Sequence, residues 1–119
     1  MIYIKHTADT SKFIEIQSDD VLINSEQDIL DLIVDIEYRF DTKKIIINRN
    51  NIHESFFDLK TGMAGAIMQK LANYFVKMAI IGNYDNIKNK SFQDYLYETN
   101  KNRQVVFVSE ISKAIELLN

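Results

Sequence analysis

Thr61 and Gly62 lead the residues of this 119-residue chain whose types and spacing could do chemistry. They close the longest polar stretch, RNNIHESFFDLK, and open a segment of helical period beginning at Met63. A helix N-terminus presents free N–H groups and partial positive charge, so an anion or a phosphothreonine could be held there. Gly62 and Gly65 would let a backbone or ligand approach closely. The plainer alternative is that Thr61 caps the helix and the two glycines allow tight packing. His53, Glu54, Ser55 and Asp58 supply the residue types of a Ser–His–acid set. His53 and Ser55 stand only two apart, however, and no Gly-x-Ser-x-Gly elbow is present, so hydrolysis is not expected. Asp28, Asp31 and Asp35 form a carboxylate stripe, which reads as a solvated helix face before it reads as a metal site.

Composition removes several other chemistries. Cysteine is absent, which excludes disulfides, thiolate metal sites and a cysteine nucleophile. The two histidines, His6 and His53, leave a zinc site short of its usual ligands. With three glycines in all, there is no Walker loop and no GxGxxG, so no cofactor is expected. Net charge is −3, and Arg39, Arg49 and Arg103 are the only arginines. A dedicated nucleic-acid reader would be richer in Arg, so no nucleic acid is expected as partner. Tyr97, near Lys101 and Arg103, is the one aromatic in its segment free to stack a base, while Tyr95 lies on the buried stripe. Glu98, Asn100 and Arg103 more plausibly organise a helix–strand turn. Residues 25–41 carry six acids against one Arg, an acidic docking surface for a basic partner if that surface has a role. The N-terminal MIYIKHTADT lacks the apolar core of a signal peptide, and no apolar run approaches the ~20 residues of a membrane span. The expectation is a cytoplasmic protein with no membrane contact.

These residues need elements to position them. Ile2–His6 and Phe13–Gln17 alternate apolar and polar around TADTSK, which predicts a β-hairpin with a longer loop. Val21–Ile23 forms a third short run. Ser25, with Asp28 three on, caps a helix over about 26–40 that buries Ile29, Leu32, Ile33, Ile36 and Phe40. KKIIIN at 43–48 is apolar on both faces, as in a central parallel strand. Met63, Ala64, Ile67, Met68, Leu71, Tyr74 and Phe75 share one face of a second helix. MAIIG at 78–82 is another buried strand. Ser91 caps a third helix, QVVFV at 104–108 is the last buried strand, and Ser109 caps a final helix carrying Ile111, Ala114, Ile115 and Leu118. The order β-β-α-β-α-β-α-β-α predicts one domain over 1–119, a small α/β sandwich with a mixed, mostly parallel sheet and right-handed crossovers.

Two strings, FFDLKTGMAGAIMQKLANYFVKMAIIGNY from Phe56 and KSFQDYLYETNKNRQVVFV from Lys90, resemble an uncharacterised bacterial family, domain of unknown function 4180. That family implies no known activity. The element order is similar to that of STAS domains, the fold of anti-sigma-factor antagonists. The STAS resemblance implies a partner-binding switch, in which a Ser or Thr followed by Gly caps the helix after a central strand and is phosphorylated. Thr61-Gly62 occupies the corresponding place. Asp58 lies three before Thr61 rather than two, and Lys60 stands where a small residue is common.

In an open parallel sheet, ligands bind beyond the carboxyl ends of the strands. Those edges are Asn48–Gly62, Gly82-Asn83-Tyr84 and Ser109. The sequence therefore predicts a non-enzymatic interaction or regulatory module with a protein partner, contacted through Asp58, Thr61, Gly62, Gly65, Asn83 and Tyr84. The competing prediction is a small-anion or metabolite binder, or an enzyme, using the same edge.

Overall fold

A computed structural model describes all residues from Met1 to Asn119. The alternating N-terminal runs form β1 (Ile2–Ala8) and β2 (Ser11–Gln17), paired antiparallel from Ile2↔Gln17 to Ala8↔Ser11. Only Asp9 and Thr10 lie between the strands, so the turn is tight rather than the longer loop expected. Asp9 sits at φ 54°, which aspartate tolerates better than most residues. The run at 21–23 is not a strand: Ile23 makes a single parallel bridge to Ile52.

Helix α1 (Glu26–Phe40) starts where its cap predicts. Ser25 accepts from the Asp28 N–H at 3.3 Å, and the Asp28 carboxylate accepts from the Asn24 N–H at 2.8 Å. Asp35 of the acidic stripe accepts from the Tyr3 hydroxyl and from Arg39, and Asp31 accepts from Gln27. The isoleucine run becomes β3 (Lys44–Asn48), followed by three short 3-10 turns and then α2 (Met63–Asn73). The remainder is β4 (Lys77–Ile81), α3 (Lys90–Asn102), β5 (Val105–Val108) and α4 (Ile111–Leu118).

The sheet runs β1-β2-β3-β4-β5, with β2 through β5 parallel. Successive right-handed crossovers in one direction bring α1, α2 and α3 to one face. There Ile14, Ile47, Ile80 and Phe107 of the strands meet Ile33, Ile67 and Phe92 of the helices. On the other face α4 sets Ala114 and Leu118 on Phe13, Ile46, Ala79 and Val106. The three apolar runs lie side by side as expected, and β5, although it is an edge strand, is buried along its whole length. Asn100 closes that edge by donating to the Phe107 carbonyl at 3.2 Å and accepting its N–H at 2.7 Å.

Several local expectations fail for identifiable reasons. Asn89, not Ser91, caps α3 by accepting the Phe92 N–H. Glu110, not Ser109, is the residue before α4, and no side chain caps that helix. Helix α2 ends at Asn73: Tyr74 and Phe75 continue the helical stripe in sequence, but Phe75 takes φ 59° and is 80% exposed. Val76 turns inward in its place and is fully buried.

Candidate functional site

The carboxyl ends of β3 and β4 hold the most developed site. The Asn48 side chain accepts the Asn50 N–H at 2.9 Å and turns the chain sharply after β3. That turn throws Arg49 across the end of β4. Gly82 makes the crossing possible, because a Cβ there would stand 2.8 Å from the Arg49 Cβ and 3.2 Å from its Cδ. The Arg49 guanidinium carbon lies 4.9 Å from the centre of the Phe57 ring and 5.5 Å from that of Tyr84, so two π-faces hold the cation. Its Nη1 donates to the Asn83 carbonyl and, at 3.0 Å, to the Asn86 side chain. Nε and Nη2 make no such bond and form a free two-donor fork.

The walls around this arginine are rigid. The Tyr84 hydroxyl donates to the Ile80 carbonyl at 2.7 Å, and burial pushes its phenol above the ordinary tyrosine range. The Tyr84 ring packs edge-on against Phe107 at 5.5 Å. Asn51 fixes the loop below: only 1% exposed, it donates to the Ser18 and Asp20 carbonyls at 2.8 Å each, leaving its Oδ1 without a partner. Between these parts opens a cleft of about 950 Å³, with His53, Glu54, Asn83 and Asn86 on its walls.

Of the residues singled out in the sequence, Asn83 lines this cleft and Tyr84 stacks on the arginine at its edge. The other four form a separate knuckle at the start of α2. Asp58 accepts the Lys60 N–H at 3.2 Å. The Thr61 hydroxyl lies 2.6 Å from the Ser55 carbonyl and 2.9 Å from that of Asp58, its two acceptors, and accepts the Met63 N–H at 3.2 Å. Thr61 thus ties off the helix one residue earlier than a true cap, and the N-cap position belongs to Gly62 at φ 78°. Gly65 has open space where a Cβ would be, so tight packing against a neighbour does not explain it. The knuckle reaches the cleft only through the 54–57 turn, which carries Phe57.

His53 Nδ1 and Ser55 Oγ are 2.8 Å apart, but the same nitrogen accepts the Ser55 N–H, and Ser55 Oγ also contacts Met63 Sδ at 3.0 Å. No carboxylate orients the ring, so the pair is a local turn cap and not a catalytic dyad. Sequence reasoning placed Arg49, Phe57 and Gly82 within the predicted binding edge without choosing them as contacts, and missed Asn86. The available signal was an arginine placed directly after a strand ending at the predicted binding edge.

No helix is long and apolar enough to cross a membrane. Neither a curated protein nor a solved structure matches this chain. A family model matches residues 8–118, and the chain belongs to the family it describes, Domain of unknown function (DUF4180).

Proposed function

We propose that this domain is a non-enzymatic binding module that engages a partner protein through the carboxyl edge of β3 and β4, with Arg49 as the anchor for an acidic group. One observation carries the reading: Arg49 is stacked, held at one nitrogen and oriented, yet makes no ion pair, whereas Arg39 pairs with Asp35 at 2.8 Å. A guanidinium presenting a free fork suits a carboxylate or phosphate. The resemblance of the element order to that of STAS domains, read from the sequence, is in keeping with the same class of role. The size of the cleft favours a second reading, a small anionic metabolite in the same place.

Thr61 fits this scheme as a switch. A phosphate on its oxygen could no longer donate to Ser55 and Asp58, and would face two carbonyls. The 54–57 turn would loosen, and Phe57 would leave Arg49. Titration of an acidic peptide, and separately of acetate and inorganic phosphate, followed by the backbone amide resonances of Asn83 and Asn86 beside Arg49, tests the whole. A saturable shift with the peptide, lost in Arg49→Gln and weakened in Thr61→Glu, is expected. Saturation by phosphate alone moves the assignment to the metabolite, and resonances unmoved by every probe end both readings.

A further inference from the structure

The opposite end of the sheet carries a second charged feature, independent of Arg49. Lys12 from the hairpin, Lys43 and Lys44 from the entry to β3, and Lys77 from the start of β4 converge on a hollow of about 340 Å³. Asp41 is the one acid on its wall. Lys43 reaches Glu37 at 3.7 Å, while Lys12, Lys44 and Lys77 make no ion pair. Elsewhere Lys70, Lys90, Lys101 and Lys113 each pair with an acid and Lys5, Lys60 and Lys88 do not, but three unpaired lysines around one hollow stand out in a chain whose net charge is −3. Lys44 donates to Ser11 Oγ at 2.9 Å with its ammonium 5.3 Å from the Phe13 ring centre, and burial together with the Lys77 charge lowers its pKa. Such crowding is relieved when an anion enters.

Phe75 stands at the rim of the same hollow. Its backbone is left-handed at φ 59°, where a bulky side chain is strained, and its ring is 80% exposed with the Lys43 ammonium 5.9 Å from its centre. Neither stability nor solubility accounts for phenylalanine at this position. We propose that the hollow binds a nucleoside polyphosphate, its phosphates among Lys12, Lys44 and Lys77 and its base on the Phe75 ring. Lysines spread around a hollow act as point charges for phosphate oxygens, in contrast to the forked arginine at the other end. An exposed ring offers a base a stacking face.

Calorimetric titration of the whole chain with ATP, inorganic tripolyphosphate and a polyglutamate peptide at low salt tests the assignment. ATP is expected to bind once per chain, roughly tenfold tighter than tripolyphosphate because of stacking. Phe75→Gly, which relieves the backbone, should raise the Tm and bring ATP down to the affinity of tripolyphosphate. Lys12→Gln combined with Lys77→Gln should weaken both phosphate ligands while the far-UV spectrum stays unchanged. The assignment falls if ATP shows no saturable binding, if Phe75→Gly keeps the ATP advantage, if the double lysine variant binds normally, or if polyglutamate binds as tightly as ATP.

Discussion

Arg49 and Gly82 act as one device although they lie far apart in the chain. Gly82→Ala forces the new methyl group against the Arg49 Cβ, 2.8 Å away, and that neighbour is the root of the side chain and not its flexible end. A stability loss of about 1–3 kcal/mol in urea unfolding is expected, with a displaced Arg49 Nε–H resonance. Tyr3 gives a pH-dependent counterpart. Burial, then the hydrogen bond to Asp35, pushes its phenol from 10.0 to about 12. The raised value means that the unfolded chain loses this proton first. The contribution is therefore whole below pH 10 and declines as pH rises toward about 12. Asp35 behaves oppositely: the bonds from Tyr3 and Arg39 lower its pKa, so its share is present at neutral pH and is lost on acidification. Tyr3→Phe should flatten the alkaline limb of a stability–pH curve, and an unchanged limb would refute the assignment. At this scale the Ser25 cap with its partner Asp28 was legible in the sequence, while the equally local Asn89 cap of α3 was misplaced onto Ser91. The Arg49 stack was not legible, because its partners at 57 and 82–86 come from other turns.

Helices and strands were more legible than their ends. Ile45–Ile47 announces a strand covered on both faces because no polar position interrupts it, and the structure buries all three residues. The stripe of α2 was read correctly through Leu71, which is 1% exposed. Leu71→Ala should cost roughly 2–5 kcal/mol in denaturant unfolding. The stripe misled at Phe75 because helical periodicity carries no information about where the backbone stops being helical. Edge protection was equally hidden. The Asn100 side chain satisfies the outward N–H and carbonyl of Phe107, and only the folded α3–β5 pair brings them together. Asn100→Ala leaves both backbone groups without that partner, at about 1–3 kcal/mol. It also opens an edge that can pair with another chain. Sedimentation should then show concentration-dependent association absent from the unaltered protein.

For the molecule as a whole, the order of strands in space is their order in sequence. Composition and element order made the α/β class legible, but not the placing of helices. That α1, α2 and α3 share one face follows from the direction in which the strands are added, while α4, after the last strand, covers the other. The arrangement has a consequence for how the protein is made. No strand must be threaded between two others, so a chain emerging from the ribosome can lay each strand beside its predecessor as it appears. Only α4 comes too late for that simple growth, and until it docks, Phe13, Ile46, Ala79 and Val106 face water. A released chain truncated before Ile111 would thus hold a finished sheet with one naked side, the form for which a chaperone has most to shield.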